Sequence, residues 1–222
     1  MKDTCFINVG IDHWYPKGSR RLKTTLLDCG FPGDIIIWED HWPRDGGGYN
    51  KNCVYNCKAA AFEEAIERGY KVILWGDCSM QAIRSVTPLV ERIRNEGLWI
   101  GKSGYNCAQV CTDAQLAYFG ITRDQAEAIP DCASGLFGVN VNNPLASAVI
   151  KEWIRAARDG VFAGSRKHAK QSEDPRFMFG RQDQSCLSLI LHKHGAPLGD
   201  FIDYAKFKWD RNKGQIFHCE GM

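Results

Sequence analysis

The sequence predicts an α/β fold: one domain in which a mixed, mostly parallel central sheet is flanked by helices. Apolar β-type runs alternate with segments of helical periodicity along the 222 residues, and such alternation is typical of sheets that are at least partly parallel. The run 34–40 is continuous enough in apolar residues to be buried on both faces. Because no internal repeat or convincing domain boundary interrupts the pattern, we expect residues 1–222 to form a single domain.

Each element is predicted from its hydrophobic pattern and from the residues that bound it. Residues 18–29 place Leu22, Leu26 and Leu27 on one helical face. Thr112 or Asp113 is a suitable start for a helix that extends to residue 128. The expected strands are 4–10, 34–40, 72–75, 98–100, 109–111 and 137–141. The expected helices are 18–29, 55–68, 80–95 with an interruption near Pro88, 112–128, 144–157 and 184–193, and the expected loops are 41–52 and 164–176.

The composition excludes several classes of protein. Hydrophobic residues make up 44% of the chain and charged residues 24%, as in an ordinary globular protein. The formal net charge of +2 creates no strong field toward nucleic acid or membrane surfaces. The chain has neither an apolar run of about 18 residues nor a standard export signal, so we expect a cytoplasmic protein without a membrane anchor.

The ten cysteines are scattered along the chain, and several lie in apolar runs, where cysteine behaves as a small hydrophobic residue. Without an export signal, we expect reduced thiols rather than disulfides. Cys53 and Cys57 share a helical face by their spacing, and so do Cys107 and Cys111. A zinc site built from these four thiols is an alternative, although this spacing is not the usual one for zinc.

The most informative stretch is 71–80, in which an apolar run ends at Asp77 and a hydroxyl group follows at Ser79. A carboxylate at the carboxyl end of a buried strand lies where open α/β sheets bind ligands. Asp77 and Ser79 face the same side of an extended chain. One or two carboxylates together with substrate oxygens suffice to hold Mg²⁺ on a diphosphate. The alternative interpretation is an ordinary aspartate in the turn after a strand.

Three further segments carry candidate functional residues. The segment 133–138 lies at or before a strand, and its glycines permit close backbone approach to a ligand. In the segment 180–185, Asp183 is either the N-cap of a helix or a general base, and Arg181 is suited to oppose phosphate charge. His218 is a candidate metal ligand, although an isolated histidine is more often structural.

Taken together, these segments resemble the nucleotide-sugar glycosyltransferases of the GT-A fold. In that group a helix led by a lysine precedes a buried strand that ends in an Asp-x-Asp motif, and here Lys58 precedes Asp77-Cys78-Ser79. By itself, Lys58 would be interpreted as a solvated surface lysine. The family pattern continues with a glycine-containing acceptor-side segment, an acidic motif that opens a helix, and a late metal-binding histidine. These are matched in order by 132–138, 181–185 and His218. The departure is Ser79, which stands in place of the second acid.

The resemblance implies transfer of a sugar from a nucleoside-diphosphate sugar to a hydroxyl of a glycan or another acceptor. Mn²⁺ or Mg²⁺ would stabilise the charge of the leaving diphosphate. Asp183 would deprotonate the acceptor in a displacement that inverts the anomeric carbon, but retaining relatives carry acids in the same region, so the stereochemistry stays open. The implied metal ligands are Asp77, Ser79 and His218. The implied donor-binding residues are Gly10, Ile11, Asp12, Asp40, Lys58 and Arg181, and the implied acceptor-side residues are Ser134 and Gly135.

The resemblance also divides the domain into a nucleotide-sugar-binding part, 1–110, and an acceptor-binding and catalytic part, 111–222. Trp42 and Trp209 are candidates to stack on a sugar face, whereas Trp153, at helical spacing, is expected in the core.

Two other functions remain open. One is sugar transfer to a hydroxylated nucleic-acid base, because residues 206–213 interleave basic and aromatic side chains as strand-binding surfaces do. The other is a non-catalytic nucleotide- or sugar-binding module, which the serine at position 79 favours. With only one acid at this motif, metal affinity would be low or the metal dispensable.

Overall fold

The computed structural model describes residues 3–44, 53–163, 171–207 and 214–219. The strands are β1 (Thr4–Val9), β2 (Asp34–Trp38), β3 (Val72–Gly76), β4 (Met80–Ala82), β5 (Leu98–Asn106), β6 (Pro130–Asn140), β7 (Gly199–Asp200), β8 (Ala205–Phe207) and β9 (Phe217–Cys219). The helices are α1 (Tyr15–Asp28), α2 (Asn56–Glu67), α3 (Thr87–Glu96), α4 (Cys107–Val110), α5 (Asp113–Phe119), α6 (Arg123–Glu127), α7 (Pro144–Arg158) and α8 (Gln182–Lys193). A short 3₁₀ turn spans Phe201–Asp203.

The central sheet has six strands in the order β2-β1-β3-β6-β5-β7, and a smaller sheet has the order β4-β9-β8. β1 is parallel to both β2 and β3, and β5 is parallel to β7. β6 runs antiparallel to its two neighbours, β3 and β5. This mixed, mostly parallel sheet with flanking helices confirms the predicted fold class.

Side chains of the central strands alternate between two apolar layers, one on each face of the sheet, because successive strand residues point to opposite faces. Ile7 and Ile73 pack with apolar residues of α2, α7 and α8. Phe6 and Leu74 pack on the other face with apolar residues of α1, α3 and the smaller sheet. Since both faces of β3 are covered, its apolar run is uninterrupted, and polar functional residues follow where the strand ends.

The strand predicted at 34–40 is present as β2, but it is not buried on both faces. Its three isoleucines, Ile35, Ile36 and Ile37, are only partly buried, because β2 lies at the edge of the central sheet. The prediction of full burial was therefore wrong.

The helix predicted at 80–95 is also different in the structure. Met80–Ala82 forms β4, which pairs with β9, and α3 begins only at Thr87. Pro88 does not interrupt this helix but lies in its first turn, where proline is tolerated because the first N–H groups have no intrahelical partner.

Further differences concern residues 107–140. Residues 109–111 are not a strand, since Gln109 and Val110 belong to α4. The helix predicted at 112–128 is divided into α5 and α6, and α5 ends at Gly120, which has a φ of 65°. Thr112 caps α5 as predicted, accepting a hydrogen bond from the N–H of Gln115. β6 extends the strand predicted at 137–141 back to Pro130. Among the described helices, none has both the length and the apolar character needed to cross a membrane.

Candidate functional site

A cavity of about 310 Å³ lies at the edge of the central sheet where β1 and β3 end. Because these two strands are parallel, their carboxyl ends meet at the same edge, so Ile11 and Asp77 face one space. Five aromatic residues form much of its wall: Trp14, Tyr15, Trp42, Tyr55 and Trp75. The described lining also includes Lys58, Asp77, Ser79 and Arg181. Five residues predicted for donor or metal binding therefore share one cavity: Ile11, Lys58, Asp77, Ser79 and Arg181.

The ammonium group of Lys58 joins two carboxylates beside this cavity. Its Nζ lies 3.1 Å from Oδ1 of Asp77 and 3.1 Å from Oδ2 of Asp183. The side chain of Lys58 is 7% exposed, that of Asp183 is 4% exposed, and that of Asp77 is 39% exposed. Lys58 is thus a buried residue rather than a surface lysine. Of the two carboxylates, Asp77 lines the cavity, whereas Asp183 is not among the described lining residues.

The charge states follow from burial and from the neighbouring charges. Burial lowers the pKa of Lys58, but the carboxylates of Asp183 and Asp77 outweigh this effect, and the pKa is raised overall. Burial raises the pKa of Asp183, and the opposing influence of Lys58 does not cancel it. Lys58 therefore stays a cation, and Asp183 is more basic than an aspartate in water.

β6 brings Gly135 next to Asp77. Because β6 is antiparallel to β3 and pairs Leu136 with Gly76, the N–H of Asp77 donates to the carbonyl of Gly135 at 2.8 Å. A Cβ atom at Gly135 would lie 3.3 Å from Oδ2 of Asp77. Glycine at this position therefore leaves room for the carboxylate.

Ser134, the residue before Gly135, contacts both Lys58 and Asp183. Its hydroxyl donates to Oδ2 of Asp183 at 2.9 Å, and its carbonyl accepts from Lys58 at 3.4 Å. Asp183 itself lies in the first turn of α8, and the N-cap position belongs to Arg181, which makes no side-chain capping bond. Of the two interpretations of Asp183, the N-cap is therefore wrong.

A buried hydrogen-bond network behind Ser134 was not predicted from the sequence. The fully buried carboxylate of Asp131 accepts hydrogen bonds from Ser103, Gln184 and Ser188 at 2.6, 2.6 and 2.7 Å. Gln184 in turn accepts from the N–H of Ser134 at 3.3 Å. The available signal was an aspartate at the start of an apolar strand, Asp131, which local pattern alone does not distinguish from a turn residue.

Arg181 faces the cavity from a platform of aromatic rings. Its guanidinium lies 4.8 Å from the ring centroid of Phe179 and 5.9 Å from that of Tyr105. Its Nε is buried without a hydrogen-bond partner among the described residues, and no described carboxylate forms an ion pair with it. The guanidinium therefore has hydrogen-bonding capacity that the described residues do not use.

The remaining predicted donor residues are divided between the cavity and the surface. Gly10 donates its N–H to the carbonyl of Trp38 at 2.8 Å, and a side chain at Gly10 would overlap Ser19, so glycine is required for packing. Asp12, with a φ of 68°, is exposed. Asp40 is exposed and bonded to His41 at 2.6 Å. Neither aspartate is among the described residues that line the cavity.

The three predicted metal ligands differ in their position relative to the cavity. Ser79 lies next to β9, since its hydroxyl is 3.5 Å from Sγ of Cys219. His218, the neighbour of Cys219 in β9, pairs with Gln81 of β4. Nδ1 of His218 lies 3.1 Å from Nε2 of the Gln81 side chain. The Nε2 atom of His218 is buried without a hydrogen-bond partner among the described residues. Oδ1 of Asp77 is already bonded by Trp75 at 2.7 Å and by Lys58. Asp77 and Ser79 line the cavity, whereas His218 is not among its described lining residues. Within the described cavity a metal ion would therefore have one hydroxyl and one carboxylate, already engaged by Lys58, as protein ligands.

Several other predictions concern cysteine and tryptophan. All ten cysteines are unpaired, and no group of three or more His, Cys, Asp or Glu residues among the described residues is arranged to hold a metal ion. Trp153 is fully buried, as expected, and Trp42 lines the cavity. Trp209 and most of the segments 164–176 and 206–213 (residues 164–170 and 208–213) lie outside the described residues.

The protein has a GT-A-like α/β fold, a mixed, mostly parallel central sheet with flanking helices. Its structure is similar to the crystal structure of mouse xyloside xylosyltransferase 1 in its apo form, with a TM-score of 0.53 and 10% sequence identity. The similarity covers 98% of this chain and 97% of the mouse chain. No protein-family model and no curated protein sequence matches the chain. At this identity the comparison establishes the fold.

Proposed function

We propose that this protein is a glycosyltransferase that moves a sugar from a nucleoside-diphosphate sugar to a hydroxyl of a glycan or another acceptor. The observation that carries the proposal is the pair of carboxylates, Asp77 and Asp183, bridged by buried Lys58 beside the cavity. The fold supports it, because the similar structure is that of a xylosyltransferase. We also propose that residues 1–110 bind the nucleotide-sugar donor and that residues 111–222 bind the acceptor and carry out catalysis.

The wall of the cavity suits a nucleoside-diphosphate sugar. Aromatic rings such as those of Trp14 and Tyr15, whose centroids are 4.7 Å apart, offer stacking surfaces for a base or a sugar ring. Arg181, which lines the cavity, offers a guanidinium to the diphosphate, and its Nε has no partner among the described residues. Gly10 and Ile11, at the end of β1, would lie under the nucleoside.

In the proposed reaction the acceptor oxygen forms a bond to the anomeric carbon while the bond from that carbon to the diphosphate oxygen breaks. The electron pair of the broken bond leaves with the diphosphate, and the acceptor proton passes to the carboxylate of Asp183. The raised pKa of Asp183 supports this role. The carboxylate is 4% exposed and Ser134 beside it is 2% exposed, so this part of the site must open before an acceptor contacts Asp183. Inversion at the anomeric carbon is the expected outcome.

The free cysteines support a reducing compartment, and we propose a cytoplasmic location on that ground.

The test is a thermal-shift panel of UDP-, GDP-, CMP- and dTDP-sugars, followed by detection of transfer to simple glycans. We expect stabilisation by one donor class and loss of that stabilisation in Asp77→Ala. The anomeric configuration of the product, read by NMR, tests inversion. A response to no donor would overturn the proposal.

A non-catalytic nucleotide- or sugar-binding module is the second candidate, and the near-complete burial of Asp183 favours it. Hydrolysis of the bound donor that is abolished in Asp183→Asn would exclude this candidate. Donor binding without hydrolysis or transfer to any acceptor would support it.

A further inference from the structure

The charges around the cavity are unequally available to a ligand. Lys58 carries three N–H donors, and its ammonium already contacts Asp77, Asp183 and the carbonyl of Ser134. Its positive charge is therefore engaged within the protein. Arg181 is different: its Nε has no hydrogen-bond partner among the described residues, and its charge acts on the carboxylate of Asp131 without a described ion pair between them.

The position of Arg181 is also preorganised. Its guanidinium packs against the ring of Phe179, which limits its freedom before a ligand binds. A planar guanidinium presents its N–H donors in a fork that matches two phosphate oxygens. A cation so placed loses less side-chain entropy when it binds an anion than a lysine would.

A divalent cation is disfavoured in the same cavity. His218 is not among the described residues that line the cavity. Oδ1 of Asp77 is already bonded by Lys58 and Trp75, and the hydroxyl of Ser79 accepts from Cys219. Arg21 is a second positive charge, besides Lys58, near the turn that follows β3. It donates to the carbonyls of Cys78 and Ser79 at 3.3 and 3.2 Å. Positively charged side chains at short range repel a metal cation.

We propose that Arg181, rather than a divalent cation held by Asp77, Ser79 and His218, binds the diphosphate in this cavity, so that diphosphate binding is independent of metal. The inference deepens the proposed function and rests on it for the identity of the ligand. It concerns binding alone and requires no chemical step.

The experiment is isothermal titration calorimetry of the whole chain with inorganic pyrophosphate and with UDP, GDP, CDP and dTDP. Each titration is made in EDTA and then with Mn²⁺ or Mg²⁺. Arg181→Gln removes the guanidinium, and Phe179→Leu keeps the arginine but removes its platform. Arg20→Gln is the matched control, because Arg20 is 70% exposed and pairs with Glu39 outside the cavity. His218→Gln tests the predicted metal ligand, and circular dichroism confirms that each variant is folded.

We expect wild type to bind pyrophosphate and at least one nucleoside diphosphate in EDTA with unchanged affinity on adding metal. Arg181→Gln should bind about ten- to a hundred-fold more weakly, as expected for lost hydrogen bonds to a charged group. Phe179→Leu should bind more weakly, and Arg20→Gln and His218→Gln should bind as wild type does.

Three results would overturn the inference: binding that requires metal, binding that is lost in His218→Gln, or wild-type affinity in Arg181→Gln. Metal-dependent binding together with sugar transfer would overturn the inference and leave the proposed function standing. Metal-free binding through Arg181, without sugar transfer or hydrolysis of the nucleotide sugar, would support the inference and overturn the proposed function. Failure of every diphosphate to bind the folded wild-type protein would overturn both.

Discussion

Nζ of Lys58 lies 3.1 Å from Oδ2 of Asp183, and both side chains are almost wholly buried. A buried charge is stable only while its partner is present, because neither group can be solvated. The pair therefore links the start of α2 to the start of α8 and holds the carboxylates in a defined arrangement beside the cavity.

Lys58→Met should destabilise the protein by about 3–5 kcal/mol, the usual cost of removing one partner from a buried ion pair. The measurement is the free energy of unfolding in urea. Lys71→Met is the matched control, since Lys71 is exposed and its loss should have little effect. The double variant Lys58→Met/Asp183→Asn should recover part of the stability, whereas equal losses in Lys58→Met and Lys71→Met would contradict the assigned burial.

Asp183→Asn should lower kcat by roughly 10²–10⁴-fold with donor affinity retained, if Asp183 is the general base. The active form is the deprotonated carboxylate, and burial raises its pKa. The wild-type rate should therefore fall as pH decreases through that raised pKa, while the residual rate of the variant should lack this limb. The check is a profile of kcat against pH. Parallel loss of donor binding and rate would instead make Asp183 a positioning residue.

Asp131→Ala should destabilise the protein by about 1–3 kcal/mol for each buried donor that loses its acceptor. The donors are the side chains of Ser103, Gln184 and Ser188. Gln184 also accepts the hydrogen bond from the N–H of Ser134. The variant should therefore weaken the binding of the nucleotide sugar as well as lower the stability of the protein. Thermal unfolding and calorimetry measure the two effects. Ser103→Ala is the comparison, since it removes one donor and leaves Gln184 in place.

Asp3 should contribute to stability in acid. The hydrogen bond from Arg94 lowers the pKa of Asp3 from 3.8 to about 2. The stabilisation is present above the unfolded value and is lost as pH falls from about 4 toward 2. Since Asp3 is 43% exposed, solvent screening limits the effect to about 1 kcal/mol or less. Urea unfolding between pH 5 and 2, in wild type and Asp3→Asn, measures it; identical pH dependence in the two proteins would refute it.

Parts of the fold followed directly from local patterns. The alternation of strand and helix signals predicted the α/β class, and the helix at 144–157 and the strand at 72–75 matched α7 and β3 closely. Residues 80–82 did not, because a three-residue strand is stabilised by its partner, β9, and carries no periodicity of its own. Likewise, Pro88 is compatible with either a break or a helix start, and only the flanking structure decides between them.

By itself, the sequence determined that an apolar strand ends at Asp77 and that a lysine, Lys58, leads the helix before it. Only the tertiary structure decided that Lys58 is buried between Asp77 and Asp183, that Arg181 lines the same cavity, and that His218 is not among its described lining residues. The physical reason is that periodicity and strand ends are properties of neighbouring residues. Burial and ion pairing depend on which distant segments the sheet order and register bring together.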